Sequence, residues 1–204
     1  MYNELFSKLL KALNNIGKKP IMAYGGYESI ILCNTNSPAR LYGVAQSVGY
    51  GEYRAITPVG GGMPVNKYYF LPTHCRMRFD DVARILSEHG YFSASKSEKE
   101  HALDYYRDIC NCGICHEIIR DDINGFSTYN DSIPYTVKTR NGILTKNRPT
   151  TDATLIAAIH FLNCKVFEWN YIENENLSTV LDNLKSCYAQ YQPKLVGHIN
   201  KWCE

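Results

Sequence analysis

The stretch that decides the fold is Cys110-Asn111-Cys112-Gly113-Ile114-Cys115, followed 45 residues later by His160 within the apolar pattern Ile159-His160-Phe161-Leu162. Thiolates and an imidazole are the protein ligands that zinc prefers, and four such ligands complete a structural site. The C-x-C-x-x-C spacing lets one short turn present three sulfur atoms to a single centre, and we expect Gly113 to relieve the strain of that turn. The sequence therefore predicts a zinc ion bound by Cys110, Cys112, Cys115 and His160.

The fourth ligand has alternatives in the sequence. His101 precedes the cysteines, Cys164 lies one helical turn after His160, and His116 adjoins Cys115, where closing a tetrahedron would strain the chain. The cysteines are also compatible with buried thiols that bind nothing, because free cysteine is among the most buried residue types. Three thiolates and one histidine leave no open position for water, so the predicted zinc is structural and pins the segment after Cys115 to the helix of His160.

Composition places the chain among ordinary globular proteins. Its 204 residues, 45% hydrophobic and 21% charged, suffice for one to two domains. The net charge of +2 is too small to prove or exclude a polyanionic partner. No stretch approaches the roughly 18 apolar residues of a membrane span, and the first residues, with Glu4 and no apolar run, do not resemble a signal peptide. We therefore expect a cytoplasmic protein with reduced cysteines and no membrane contact.

Hydrophobic periodicity predicts a mixture of helices and short strands. Helices are expected over residues 2–16, ending at Gly17, then from Phe79 to Gly90, and from a Ser97–Glu100 capping box to about residue 109. A long helix should begin near Thr151, and two more should follow before and after Pro193. The core face expected for the long helix contains Leu155, Ile156, Ile159, Leu162, Val166 and Trp169.

Short strands are expected at residues 20–24, 41–45, 53–59 and 67–71, and residues 121–149 look irregular, with a hairpin at Asn141-Gly142. Helices that alternate with short strands and glycine turns are typical of an α/β protein. We expect residues 1–109 to form the α/β portion and residues 110–204 to form the zinc-binding and helical portion, within one compact unit.

The C-x-C-x-x-C motif followed by I-H-x-L resembles the zinc site of tRNA-guanine transglycosylases and of their relatives that insert 7-deazaguanines into DNA. Two weaker similarities are Gly60-Gly61-Gly62-Met63-Pro64 running into residues 67–74, and Val48-Gly49-Tyr50-Gly51-Glu52, which is similar to the loop that holds the base. The resemblance covers residues 20–185 and implies a (β/α)8 barrel. Because a whole barrel needs about 250 residues, the implied fold is the C-terminal part of a barrel, or a reduced barrel, with a zinc-binding subdomain and C-terminal helices.

The resemblance also implies a glycosyltransferase that exchanges guanine for a 7-deazaguanine in tRNA or DNA. In this family an aspartate attacks C1′ of the nucleotide, guanine leaves, and the incoming base captures the covalent intermediate. The chain would act alone, as a homodimer or with a second subunit. The substrate-binding candidates are Gly49, Gly51, Glu52 and His74.

No aspartate is assigned as the nucleophile. Asp80 and Asp81 stand at the start of a predicted helix, where acids favour the helix dipole. Asp104 and Asp108 share a helix face beside the cysteines and are expected to be solvated. His74, Arg76 and Arg78 follow a predicted strand end, from which they would reach a phosphate.

Two other functions stay open at this level. A non-catalytic, zinc-stabilised module would bind nucleic acid or another protein through tyrosines and basic residues. A cysteine enzyme would use Cys33 or Cys75 with His74, although no residue that would orient the histidine is evident. The aromatic and basic residues in question are Tyr42, Tyr50, Tyr53, Tyr68, Tyr69, Arg40, Arg54, Lys67, Arg76 and Arg78.

Overall fold

The computed structural model describes residues 4–23, 25–45, 67–139, 142–197 and 199, and within them the chain has mixed α and β structure in which helices predominate. Short 3-10 helices lie at Leu71–Thr73, Ile123–Asn130 and Pro193–Leu195. The other elements, in chain order, are α1 (Glu4–Asn15), β1 (Met22–Ala23), α2 (Tyr27–Ile31), β2 (Val44–Ala45), β3 (Lys67–Phe70), β4 (Cys75–Arg78), α3 (Phe79–Glu88), α4 (Glu98–Asp108), α5 (Gly113–Ile119), β5 (Ser132–Thr139), β6 (Gly142–Pro149), α6 (Thr151–Asn174) and α7 (Leu177–Tyr191).

The chain divides into two compact units that interleave along the sequence. Unit 1 comprises Met1–Thr57, Pro72–Cys75 and Lys165–Glu204, and unit 2 comprises Pro58–Leu71 and Arg76–Cys164. Helix α6 therefore contributes its first part to unit 2 and its last part to unit 1. The division expected from the sequence was sequential, with its boundary between residues 109 and 110.

Unit 1 has its core between α2, the end of α6 and α7. Buried side chains of these helices, among them Ile30, Ile172 and Leu184, pack together. Asn34 fastens the end of α6, since its Nδ2 donates to the carbonyls of Ile172 at 2.7 Å and Glu175 at 2.9 Å. The last carbonyls of a helix have no partner within the helix, so this side chain supplies the missing donors. Strands β1 and β2 pair in parallel through two residues each.

Unit 2 has an aromatic core centred on Phe126. Its ring lies 5.1 Å from the ring of Tyr68 on β3 and 4.9 Å from the ring of Phe79 on α3, measured between centroids. The preceding residue, Gly125, allows the 3-10 helix to lie directly on the end of α5, because a Cβ there would come within 2.5 Å of the carbonyl oxygen of Ile118. This close packing fixes α5, which carries part of the cysteine cluster, against the core of unit 2.

Several predicted helix ends are confirmed. After α1, the backbone N–H groups of Gly17 and Lys18 donate to the carbonyls of Asn14 and Leu13, which is a Schellman cap with Gly17 at φ +72°. Gly90, at φ +82°, ends α3 in the same way. At the start of α4, Ser97 and Glu100 make both hydrogen bonds of the capping box.

The strands do not build a barrel within the described residues. They form three separate two-stranded sheets, β1 with β2, β3 with β4, and β5 with β6, and no sheet closes. The α/β class is thus confirmed, whereas the partial (β/α)8 barrel finds no support in this part of the chain. Strands β1 and β2 are only two residues long, too short for the side chains of a barrel interior. None of the helices described here has the length and apolar character that crossing a bilayer requires.

The packed face of α6 differs from the predicted one. Leu155, Ile159 and Leu162, expected in the core, are 57%, 37% and 46% exposed. The buried face instead carries polar and ligating residues, including His160 and Glu168, which are fully buried. Trp169 does pack against the core of unit 1. Periodicity misplaced most of the other residues because it assigns burial by apolarity alone, whereas this helix buries groups that have specific polar partners.

Residues 121–139 and 142–149 contain regular structure, whereas irregular structure was expected for this region. They contain the 3-10 helix Ile123–Asn130 and an antiparallel hairpin of β5 and β6. The hairpin was placed correctly, but its strands lack alternating hydrophobicity because most of their side chains are exposed on both faces. The predicted strand 53–59 lies outside the described residues.

Candidate metal centre

The four predicted ligands come together inside unit 2. Cys110 follows the end of α4, Cys112 caps the N-terminus of α5, and Cys115 lies in the first turn of α5. His160 comes from the middle of α6. The ligand atoms of these four residues all lie within 4.8 Å of one another, close enough to hold one metal ion. Cys110, Cys115 and His160 are buried, and Cys112 is partly exposed.

The distances from His160 to the three sulfur atoms are close to those of tetrahedral coordination. Nδ1 of His160 lies 3.4 Å from Sγ of Cys112, 3.4 Å from Sγ of Cys115 and 3.9 Å from Sγ of Cys110. In a tetrahedron with ordinary zinc–sulfur and zinc–nitrogen bonds, sulfur and nitrogen would be about 3.6 Å apart. The donor set, three thiols and one imidazole, therefore fits a closed metal site both in chemistry and in spacing.

A backbone hydrogen bond orients the imidazole. Nε2 of His160 lies 2.8 Å from the carbonyl oxygen of Tyr69 on β3 and donates its proton there. In the neutral, metal-binding form of the ring this contact places the proton on Nε2, so that Nδ1, which faces the sulfur atoms, can serve as a ligand. The ring of Tyr68 stacks on the imidazole with centroids 4.3 Å apart, so β3 holds the histidine by a carbonyl and a ring together.

Tyrosine hydroxyls surround the sulfur of Cys115. Those of Tyr105 and Tyr129 each lie 3.4 Å from Sγ, and that of Tyr68 lies at 3.8 Å. Burial raises the pKa of Cys115, so it is a thiol without a metal. With a metal bound, Cys115 would be a thiolate, and hydroxyls at this distance would donate to it and spread its negative charge. The sequence did not assign these tyrosines to the site, and its only signal was the high tyrosine count of 16.

The pKa values of Cys112 and His160 are shifted in opposite directions within the cluster. Hydrogen bonds from Cys110 and Cys115 hold the pKa of Cys112 well below its usual value. Burial acts to lower the pKa of His160, but its hydrogen bonds with Cys112 and Cys115 outweigh burial and raise this pKa to about 10. The cluster therefore favours a thiolate at Cys112 beside a cationic imidazole. A divalent cation would take the place of these protons, because metal ligands bind in their deprotonated forms.

The alternative fourth ligands have other surroundings. His101 is buried, and its Nε2 contacts the carbonyl of Ser93 at 2.8 Å. His116 is exposed and stacks on Tyr106. Cys164 comes closest, with Sγ 3.9 Å from Sγ of Cys110, but it is not part of the set in which all ligand atoms lie within 4.8 Å.

Gly113 does not have the role expected for it. It is the first residue of α5, its φ is not positive, and a Cβ would meet no atom within 4 Å. The expected strain is absent because Cys112 ends the turn in extended backbone and the helix begins immediately afterwards.

His74, predicted to contact substrate, belongs to a polar cluster of unit 1. Its Nδ1 lies 2.8 Å from Oε1 of Glu168, its ring stacks on Tyr27 at 3.5 Å between centroids, and its φ is +53°. Glu168 is fully buried and also pairs with Lys165 at 2.8 Å. Burial acts to raise the pKa of Glu168, but the hydrogen bond from His74 and the charge of Lys165 outweigh it and lower this pKa.

For the cysteine-enzyme alternative, the structure shows a residue that orients His74 and argues against one of the two candidate nucleophiles. Glu168 is the residue that orients His74, which the sequence did not reveal. Burial raises the pKa of Cys33 to about 11, so its thiol stays protonated near neutral pH. Cys75 lies with its sulfur 3.2 Å from Oγ1 of Thr73 and 3.8 Å from Nε2 of Gln192.

The aromatic and basic residues considered for a nucleic-acid surface have mixed surroundings. Tyr68 and Tyr69 are buried, which favours a core role over stacking on bases. The guanidinium of Arg76 lies 3.9 Å from the ring centroid of Phe161, and Arg78 lies 3.7 Å from Asp80. Tyr42 is 44% exposed, the guanidinium of Arg40 lies 4.8 Å from its ring centroid, and Lys67 is exposed. Tyr50, Tyr53 and Arg54, and the substrate candidates Gly49, Gly51 and Glu52, lie outside the described residues.

The aspartates near the cluster are engaged in ion pairs. Asp104 pairs with Arg107 at 2.8 Å and with Lys96, whose hydrogen bond lowers the pKa of Asp104. Asp108 pairs with Arg107 at 2.7 Å. Asp108 is exposed and Asp104 partly exposed, as expected for solvated groups, and both take part in a charged network at the surface. Asp80 and Asp81 occupy the first turn of α3, as expected.

Replacing Cys112 by serine should abolish metal binding, because a hydroxyl does not replace a thiolate ligand. At a metal concentration about 1,000 times the Kd, the lost stabilisation would be about 4 kcal/mol. Elemental analysis and thermal unfolding measure the two effects. The matched control is Cys164→Ser, which should keep the metal. Loss of metal in the Cys164 variant, with retention in the Cys112 variant, would show that the ligand set is different.

Replacing Tyr129 by phenylalanine should weaken metal binding about tenfold, since outer-shell hydrogen bonds contribute at that level. Competition with a chelator of known affinity measures the effect. Tyr106→Phe is the control, because its hydroxyl donates to the carbonyl of Arg120 at 2.7 Å and touches no sulfur. Equal affinities for the Tyr129 variant and the wild type would contradict a role for the hydroxyl.

Replacing Glu168 by glutamine should lower the free energy of unfolding by about 3 kcal/mol at pH 7, because Lys165 stays buried without its counter-ion. The pKa of Glu168 is lowered in the folded state. The difference between wild type and variant should therefore be constant above pH 4.5 and shrink as the pH falls further. Urea unfolding at equal metal content measures it, with exposed Glu173→Gln as control. A difference that grows in acid would contradict this assignment.

No family model, no curated protein and no solved structure matches this chain. The proposal for its function therefore depends on the geometry of the cysteine–histidine cluster and on the resemblance of its motif.

Proposed function

We propose that this chain is a zinc-stabilised protein of the transglycosylase type, which takes part in the exchange of guanine for a 7-deazaguanine in tRNA or DNA. The observation that carries the proposal is the set of Cys110, Cys112, Cys115 and His160, whose ligand atoms lie within 4.8 Å of one another. The motif that supplies these residues is the most specific part of the resemblance.

Zinc is the metal we propose, because four soft or borderline ligands in tetrahedral spacing are typical of structural zinc sites. Among the residues that the structure describes, the cluster offers four ligands and no fifth. Four protein ligands leave no open position, so the ion would fix structure rather than activate water. All seven cysteines in the described residues are free of disulfides, and thiols in this state favour a reducing compartment such as the cytoplasm.

The proposed reaction needs an aspartate nucleophile, which we do not assign. Asp104 and Asp108 are engaged by lysine and arginine side chains. This observation favours a second candidate, a non-catalytic zinc-stabilised module that binds nucleic acid or protein. The two candidate functions would be compatible if a second subunit, or the second copy in a homodimer, supplied the aspartate that completes the catalytic site.

Incubation with labelled guanine or labelled 7-deazaguanine and tRNA or DNA tests the proposal. We expect incorporation of the label by the zinc-loaded protein, alone or with a candidate partner chain, and about one zinc ion per chain. The metal-free Cys112→Ser variant is the control and should incorporate none. No incorporation in any combination would overturn base exchange, and nucleic-acid binding in the same samples would then favour the non-catalytic module.

A further inference from the structure

The hairpin of β5 and β6 projects from the core of unit 2 as a two-stranded sheet. Its strands pair over eight residue pairs, from Ser132 opposite Pro149 to Thr139 opposite Gly142. All residues of β6 from Gly142 to Arg148 are exposed, and no third strand is paired with either edge in the described residues. A hairpin with so little burial is marginally stable by itself, so its presence requires a reason other than core formation.

The hairpin segment concentrates the positive charge of the chain. Between Asp131 and Asp152 lie 20 residues with four basic side chains and no acidic one. The whole chain has 22 basic and 20 acidic residues, so the remainder, with 18 and 20, is net negative. The four basic residues are Lys138, Arg140, Lys146 and Arg148.

The strand register gathers two of these cations around an aromatic ring. Cross-strand partners share one face of a sheet, and Tyr135 is opposite Lys146 while Ile133 is opposite Arg148. The guanidinium of Arg148 lies 6.0 Å from the centroid of the Tyr135 ring. This face therefore presents a half-exposed ring beside two exposed cations on the neighbouring strand, an arrangement suited to phosphates with an adjoining base.

Protection against edge-to-edge pairing does not explain the charges. Charged residues on an exposed strand, lysine especially, do prevent aggregation, but that function does not require that acidic residues be absent from the whole segment. Here every charge from residue 132 to residue 151 is positive, in a chain that is otherwise net negative. A single sign of charge points to a partner of the opposite sign.

A cleft continues this surface at the base of the hairpin. It has a volume of about 500 Å³ and is lined by Ile133 and Arg148 of the hairpin and by Thr151, Thr154 and Leu155 of α6, among others. No carboxylate lines it. Arg148 thus belongs both to the face of the hairpin and to the wall of the cleft.

We propose that β5 and β6 form an arm that binds the phosphate backbone of nucleic acid, with Lys146 and Arg148 as phosphate contacts and Tyr135 beside them. A two-stranded ribbon of this kind fits the major groove of duplex DNA, and its exposed ring fits unpaired bases. The inference rests on the proposed function for the class of partner, and it adds a surface that the metal motif does not imply.

The test measures binding of the full zinc-loaded chain to fluorescent duplex DNA and to tRNA over a range of salt concentrations. The Lys146→Gln/Arg148→Gln double variant should bind about tenfold more weakly. For duplex DNA, its slope of log K against log salt should be less steep by about 1.8, that is, 0.9 for each lost phosphate contact. The matched control is Lys8→Gln/Lys11→Gln, which removes the same charge from exposed positions on α1.

Equal losses in the two double variants would overturn the proposal, because only net charge would then matter. Failure of the wild type to bind either DNA or tRNA would also overturn the proposal. So would binding of heparin or of a partner protein through the hairpin in the absence of nucleic-acid binding. Zinc content and melting temperature should match the wild type, since both side chains are exposed.

A second test uses the wild-type protein: the extent of chemical acetylation of each lysine is measured by mass spectrometry with and without nucleic acid. Bound tRNA or DNA should protect Lys146 but not Lys8, and an unprotected Lys146 would contradict the proposal. The results also separate this proposal from the proposed function. If nucleic acid binds through the hairpin but no base is exchanged, only the transglycosylase function is refuted. If base exchange occurs but the hairpin variant binds nucleic acid as well as the wild type, only the nucleic-acid-binding role of the hairpin is refuted.

Discussion

The hydrogen bond from Nε2 of His160 to the carbonyl of Tyr69 is the contact on which unit 2 depends, because it fixes the one ligand that comes from a distant part of the chain. Cys110, Cys112 and Cys115 converge through local chain geometry alone. His160 arrives from α6, and only its ring orientation brings Nδ1 to the sulfur atoms. A metal ion at this place would bind strand, loop and helix together, so its binding energy would be folding energy.

Helix α6 shows why this arrangement needs polar partners along its length. Its buried face carries His160, Lys165 and Glu168, while Leu155 and Leu162 face outward. Burying ionisable groups is costly unless each is hydrogen-bonded or paired. In unit 2 the cysteines and a backbone carbonyl satisfy His160, and in unit 1 His74 and Lys165 satisfy Glu168. In each unit, the cost of burying an ionisable side chain of α6 is therefore offset by hydrogen bonds and ion pairs within the same unit.

How far the sequence predicts the structure depends on whether the signal is local. The ligand motif, the glycine-ended helices and the Ser97–Glu100 cap follow from short spacings, and all are found where expected. The packed face of α6 could not be predicted, since partners from distant segments decide it. The tyrosines around Cys115 come from three separate elements, so no spacing in the sequence reveals them. The barrel was inferred from resemblance alone, and the described strands are too short and too few to form it.

The metal cluster also explains how an exposed hairpin can be held in place. Its first strand begins three residues after Tyr129, whose hydroxyl contacts Cys115, and its second strand leads directly into the helix of His160. At its base, the N–H of Thr150 donates to the carbonyl of Asp131 at 2.9 Å. Both ends of the hairpin are thus fastened to segments that meet at the cluster. The hairpin need not be stable alone, because loop closure at its base is provided by the core of unit 2. A metal that only fixes structure would in this way keep a cationic arm extended from an otherwise net negative chain.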